Sequence, residues 1–541
     1  MKTNEEKIKI IEALLKKEIL AGTDLFSDSQ TSDLDFQKCL KKTQSISGHN
    51  SFAVINKDFL NLLLEGVFEN DGLKINWAEL EKIKANDEKQ GTNSTYKEAL
   101  KGIIKKIEHS KTAGSSSLAS DLQKNGVKIL FNYNKAGKKK DIQDFVKYFN
   151  LRYKALETIL ISRQELSSPA SIARLLSKKE KENVSAIGIV KEKTSTSNNN
   201  IILTIEDPTG EIKVLVSKSK PDLLEQAKDI VLDEVIGVTG VCGNEIIFCS
   251  RIIHPDIPAH KELKKSSDEI YALFLSDLHF GSDTFLADDF QRFIKWIRGE
   301  LGSPEQRERV KKVKYIFIVG DLVDGVGIYP GQESELLIKD IYGQYKHCAE
   351  LLSKIPSRIQ IIVCAGNHDG SRLSEPQPPL SRDFISPLLE LPNLTVLSNP
   401  SMVNIGATEE FPGFDVLLYH GYSFDYYIAN VDSIRNSGGY DRADLIMKFL
   451  LQRRHLAPSH SSTLYEPDTE EDPLVITRVP DFFVSGHIHK VAVSNYRGVS
   501  LICGSCWQSV TSFQEKMGHH PEPARVPMVN LQTRETKILR F

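Results

Sequence analysis

The hydrophobic rhythm of the chain changes several times along its length. Near the start, Ile8, Ile11, Leu15 and Ile19 recur at three- and four-residue steps with lysines between them. That is the spacing of an amphipathic helix, and Gly22 follows as a stop signal. Val54-Ile55 and the run 59–64 predict a second helix, so residues 1–70 read as a small helical domain. The next stretch is polar, with Asn86-Asp-Glu-Lys-Gln-Gly-Thr-Asn-Ser-Thr and Ala113-Gly-Ser-Ser-Ser inside it. Such a composition buries no core, and 71–140 is expected to be a flexible linker. Helical spacing returns with Phe145, Tyr148, Phe149, Leu156 and Ile159, which predicts a connecting helix within 141–170.

From residue 171 the period shortens to that of strands. Runs at 184–190, 201–205, 212–216, 235–241 and 246–249 are short and β-branched, and Asp207-Pro208-Thr209-Gly210 is a hairpin turn between two of them. Five such strands in one compact stretch predict an OB-fold barrel over 171–262. Phe248 is the only aromatic in these strands, which favours a scaffolding or protein-contact role over base stacking. From 263 to 541, apolar runs at 271–275, 315–319, 359–364, 416–419 and 482–484 read as buried strands. The whole is a multidomain α+β chain.

Each of these last five runs ends in side chains that bind metals: Asp277-Leu-His279, Gly320-Asp321-Leu-Val-Asp324, Gly366-Asn367-His368-Asp369, His420-Gly421 and Gly486-His487-Ile-His489. Taken singly, each has an ordinary reading. Asp-x-His suits a surface loop, Gly-Asp a turn, Asn-His-Asp a helix cap, and His420 a core histidine. Five in succession, each after a strand and about 40–70 residues from the next, are a different matter. Residues just past neighbouring strands converge at one edge of a sheet, where open α/β proteins build their sites.

Carboxylate and imidazole donors without thiolate suit Mn, Fe, Zn or Mg rather than a closed cysteine site. Seven or eight donors are too many for one ion with an open position. A carboxylate bridging two ions roughly 3.5–4 Å apart resolves this, and Asp321, central in the order of blocks, is the natural bridge.

Composition narrows the setting. The start is polar and acidic, unlike a signal peptide, and no apolar stretch is long enough to span a membrane. Seven scattered cysteines argue against a disulfide framework and for a reducing, cytoplasmic setting, with Cys503 and Cys506 as buried thiols at a strand end. The net charge of −3 supplies no general attraction for nucleic acid, so any binding uses a local patch. Lys138-Lys139-Lys140 and Arg453-Arg454-His455 are the candidates, and the lysine run reads first as a solvated face or loop. The arginine pair lies between the fourth and fifth blocks, where loops overhang the site, and could hold DNA phosphates, bind a partner or solvate a loop.

The five blocks resemble those of the calcineurin-like metallophosphoesterases, whose fold is a two-sheet β-sandwich flanked by helices. The resemblance implies that Asp277, His279 and His489 bind a first metal, that Asn367, His420 and His487 bind a second, and that Asp321 bridges them. It further implies that His368 is a catalytic histidine outside the ligand set, with Asp369 orienting it and Asp324 in support. Protein phosphatases of that superfamily carry Arg and Glu where this chain has Gly325 and Asp369, a departure that points to the nuclease branch.

Barrel followed by phosphoesterase, together with the stretches 325–333, 507–514 and 144–153, resembles the small subunits of archaeal family D DNA polymerases. That family implies 3′→5′ proofreading exonuclease activity with two divalent ions, Mn²⁺ foremost, beside a separate large catalytic subunit. The substrate would be single-stranded or frayed 3′ ends of DNA. The readings that compete with it are a structural subunit with a vestigial site and a stand-alone phosphodiesterase.

Overall fold

The computed structural model describes residues 123–541 apart from 125, 136, 178–180, 244 and 517, together with short strands at Ile19–Ala21 and Ala53–Ile55. Those two strands pair in parallel. Ile19, Val54 and Ile55, expected in helices, therefore lie in strands, in keeping with the strand propensity of β-branched residues. The remainder of the expected helical domain, and of the expected linker before residue 123, lies outside the described residues.

The linker expectation fails at its C-terminal end. Val127–Asn132 (β1) is a strand, and it pairs antiparallel with Ser401–Ile405, far along the chain. Val127 is buried in the core between two sheets, and that burial holds a short run whose neighbours are polar. The expected connecting helix is Ile142–Ile161 (α1), capped reciprocally by Asp141 and Asp144. Its buried face includes Tyr148, Arg152, Leu156 and Leu160.

The OB-fold expectation holds. Glu182–Ser195 (β2), Ile201–Asp207 (β3), Gly210–Val216 (β4), Val235–Gly243 (β5) and Ile246–Ile253 (β6) close into a barrel in the order β2-β3-β4-β6-β5. Asp207 makes the predicted turn by accepting a 2.7 Å hydrogen bond from the Thr209 amide.

The rest is a two-sheet sandwich. One sheet carries Tyr271–Leu275 (β7), Val313–Val319 (β8), Gln360–Cys364 (β9) and Leu394–Leu397 (β10) in parallel. The other carries Ser401–Ile405 (β11), Phe414–Leu418 (β12), Phe482–Ser485 (β13), Ala492–Tyr496 (β14) and Val499–Cys503 (β15), with β1 added at the β11 edge. Arg525–Asn530 (β16) and Thr536–Arg540 (β17) extend the first sheet beyond β7.

Strand alternation explains the layers. On β7, Ala272 and Phe274 face the second sheet, while Tyr271, Leu273 and Leu275 face the outer helices. Phe274 stacks on Phe317 at 5.2 Å and meets Phe482 of the opposite sheet at 6.0 Å. Both faces of the central strands are covered, so their sequences are continuously apolar rather than alternating. Among the described residues, no helix is long and apolar enough to cross a membrane.

Candidate metal centre

β7, β8, β9, β12 and β13 end at the same edge of the sandwich, and the five blocks follow directly from them. Backbone hydrogen bonds lace the loops together: Asp277 N to Gly320 O at 3.0 Å, His279 N to Asp321 O at 3.1 Å, and Gly486 N to His420 O at 2.9 Å. The crowding needs glycine. A Cβ at Gly320 would stand 2.1 Å from His420 Nδ1, and one at Gly366 would stand 2.2 Å from Asp321 Oδ1. Asp277, His279, Asp321, His487 and His489 all have left-handed backbone, with φ between 49° and 70°. A non-glycine residue there is strained, and five together mark a site where geometry is imposed by the surroundings.

The expected ligands converge. Asp277, His279 and His489 bring their donor atoms together, as do Asp321, His420 and His487. His279, Asp321 and His368 form a third group that shares Asp321 with the second. Asn367 Oδ1 lies 3.0 Å from His420 Nε2, which is 3.3 Å from Asp321 Oδ2. His279 Nε2 lies 3.1 Å from His489 Nε2. Apart from the left-handed turns, the same histidines are aimed by second partners. His420 Nδ1 faces the Val319 carbonyl at 2.9 Å, His279 Nδ1 faces Asp324 at 3.1 Å, and His489 Nδ1 faces the Gln514 amide at 2.9 Å. The Val319 carbonyl and the Asp324 carboxylate accept from Nδ1 and leave Nε2 for a metal, whereas the Gln514 amide nitrogen donates to His489 Nδ1 and fixes the orientation of that ring.

The electrostatics favour cations. Burial pushes Asp277 and Asp321 up, but neighbouring histidines outweigh it and hold both carboxylates below their usual range. His420 is raised, with burial opposing and Asp321 prevailing. The centre draws positive charge to its convergence points, and hard oxygen and imidazole donors with no thiolate suit divalent ions.

His368 sits beside the ligands, with its amide on Asp321 Oδ1 at 2.8 Å and its Nδ1 against the Asp324 carbonyl at 2.8 Å. Burial favours its neutral form, with Asp321 opposing. The expected orienting role of Asp369 is therefore corrected. Asp369 accepts from Gly366 N (2.9 Å), Leu322 N (3.1 Å) and Tyr345 Oη (3.0 Å), so it ties the second and third loops to each other. Asp324 orients His368 instead, through its backbone carbonyl.

Arg453 and Arg454 are also corrected. Both are buried, at 3% and 4% exposure. Arg453 Nε pairs with Glu234 of the barrel at 2.6 Å, and Arg454 donates to the carbonyls of Ile476 (2.6 Å) and Thr477 (2.7 Å). Their guanidinium groups are used inside the protein, which leaves none for a DNA phosphate. Cys503 and Cys506 are buried free thiols, as expected.

Three glutamines and an aspartate went unnoticed in the sequence. Gln332 and Gln508 donate to Asp324 at 2.8 and 3.1 Å, Gln514 holds His489, and Asp425 faces His487 Nε2 at 2.9 Å. The glutamines lie in the stretches 325–333 and 507–514, so the signal was present without a role attached. A cavity of about 300 Å³ opens over the centre, walled by His368, Tyr329, Tyr422, Tyr440 and His519.

Comparison with known proteins agrees with this geometry. Residues 270–491 match the calcineurin-like phosphoesterase family, and 184–245 match the OB-fold nucleic acid binding domain. The DNA polymerase II small subunit of Methanothermobacter thermautotrophicus is 41% identical over 74% of this chain and 80% of that protein. That of Archaeoglobus fulgidus is 38% identical over 71% of this chain and 75% of its own, and that of Methanocaldococcus jannaschii is 39% identical over 72% and 64%.

Proposed function

The chain belongs to the archaeal DNA polymerase II small-subunit family, and from that premise we propose that it is a proofreading 3′→5′ exonuclease paired with a large catalytic subunit. The observation that carries this reading is the sharing of Asp321 between two groups of ligand atoms. Asp277, His279 and His489 with Asp321 would hold one divalent ion, and Asp321 with Asn367, His420 and His487 a second. Bound ions of this kind supply Lewis-acid charge and an activated water, and Mn²⁺ is the expected occupant.

His368 faces the cavity with Nδ1 engaged, so Nε2 is the atom that meets the leaving oxygen. A diester bound beside it raises its affinity for a proton against the effect of burial. The choice of diester over monoester follows from residue 325. A Cβ there would stand 2.3 Å from the His368 carbonyl oxygen, so the position excludes the basic side chain that a phosphomonoesterase would use to clamp its substrate.

A structural subunit with a vestigial site is the competing reading. It is disfavoured because the histidine ligands still have their aiming partners, Asp324, Gln514, Asp425 and the Val319 carbonyl. The test is the purified chain, alone and with its large subunit, given Mn²⁺ and end-labelled single-stranded or mismatched primer DNA. Stepwise shortening from the 3′ end, faster at a mismatch, is expected. No cleavage in either form, with the metals bound, would rule the nuclease out.

A further inference from the structure

The wall between the metal centre and its neighbouring groove is shared. Tyr422 and Asp425 line the catalytic cavity, and they also line a second cavity of about 610 Å³ with Phe145, Tyr426, His460 and Leu464. This second groove is open and aromatic. His460 is exposed, Phe145 and Tyr426 are half-buried, and Leu464 is 56% exposed. The rings fall in two groups on its wall: Tyr422 meets His487 at 5.9 Å, and His460 meets Phe145 at 6.1 Å and Tyr465 at 5.3 Å.

We infer that this groove is a stacking track for single-stranded DNA. It would hold the nucleotides on the 5′ side of the one whose phosphodiester lies at the metals. The inference rests on the nuclease reading above and names residues that reading does not use. Three observations select nucleic acid as the occupant. The groove is continuous with a centre built for phosphodiesters, through Tyr422. The carboxylate on the shared wall, Asp425, is half-exposed and turned to His487 Nε2 at 2.9 Å, toward the metal centre rather than along the groove.

The third observation concerns the lysine run. Lys140 Nζ reaches the Pro467 carbonyl at 2.7 Å and pairs with Glu466 at 3.4 Å, which sets the run against the segment that follows Leu464. Lys138 and Lys139 are exposed there and have no ion pair or side-chain hydrogen bond among the described residues. Aromatic faces with unpaired cations alongside are the ordinary construction of a sequence-tolerant single-strand site. Every base has a face to stack, so such a track accepts any sequence.

The test is binding of a fluorescent oligothymidylate to the full chain in chelator, followed by anisotropy. Tyr426→Ala with His460→Ala should weaken binding by about tenfold or more. Lys138→Ala with Lys139→Ala should lower the salt slope by about 1.4, near 0.7 for each phosphate left without its lysine. Cleavage of a dinucleotide diester, which does not reach the groove, should be unchanged in both variants with metal present. Equal oligonucleotide affinity in the aromatic variant, with unchanged circular dichroism, overturns the track. If that variant instead loses capture of the large subunit, the groove is a protein interface and the inference fails. A parent chain that binds the strand in chelator but cleaves nothing with metal fails the nuclease reading and leaves the track standing.

Discussion

The chain contains two buried polar clusters built from similar side chains, and they are organised in opposite ways. At the metal centre, donor atoms from five loops converge on shared points, and two imidazole nitrogens face each other at 3.1 Å. Where α1 meets the sandwich, everything closes on one carboxylate. Asp472 accepts from Tyr148 Oη at 2.6 Å and Arg152 Nε at 2.7 Å, and His455 Nε2 lies at 2.8 Å. Arg152 is fully buried and also packs over the rings of Phe149 and Tyr465. The first cluster aims its donors at common points, whereas the second closes on a carboxylate of its own. Buried charge alone does not mark a site; what marks it is donors aimed at a common point.

The largest effect expected from breaking this contrast is at Asp321. Asp321→Ala removes the atom common to two ligand groups and should abolish nearly all diester cleavage. Circular dichroism should be unchanged, because the residue ends a strand and lies outside the apolar core. Near-normal cleavage with unchanged circular dichroism would contradict the bridging assignment.

The closed cluster should respond the other way. Arg152→Ala leaves Asp472 as an uncompensated buried charge, and denaturant titration should show a loss of about 3–5 kcal/mol. Cleavage per folded molecule should stay the same. A loss under about 1 kcal/mol, the range of an exposed pair, would mean that water reaches Asp472.

A smaller effect is expected from acid. Burial, and then the charge of Arg152, lower His455 to about 4 against the opposing pull of Asp472. The unfolded chain binds its proton near the ordinary 6.5, so between that pH and about 4 the unfolded state carries the extra proton. Stability should therefore fall as pH drops through this window, by up to about 1.4 kcal/mol per pH unit from this one group. His455→Gln should flatten that slope. A slope identical to that of the parent would mean the imidazole is already charged in the folded state.

The same contrast explains what was legible in the sequence. The ligands could be read because each lies within a few residues of a strand end, so local pattern and local chemistry coincide. Asp277 follows β7 and His487 follows β13 for this reason. Arg453 and Arg454 could not be read, because their burial depends on Glu234, Ile476 and Thr477, which the chain brings in from elsewhere. Asp369 sits in a ligand motif, yet Tyr345 and the Gly366 and Leu322 amides decide its role. Gln514 and Asp425 carry no signature of their own, since glutamine and aspartate are common on surfaces. β1 was hidden by its polar neighbours, and the distant partner β11 is what joins it to the sheet.

That pairing has a consequence for synthesis. β1 leaves the ribosome about 270 residues before β11 does. At roughly 5–20 residues per second, β1 waits on the order of 15–50 s for its partner. The barrel lies wholly within that interval and can close while the sheet is still unfinished. A nascent chain halted after the barrel would carry β1 paired only with the two-residue strand Gln123–Lys124 before it, and the second sheet is completed only when the C-terminal half returns to it.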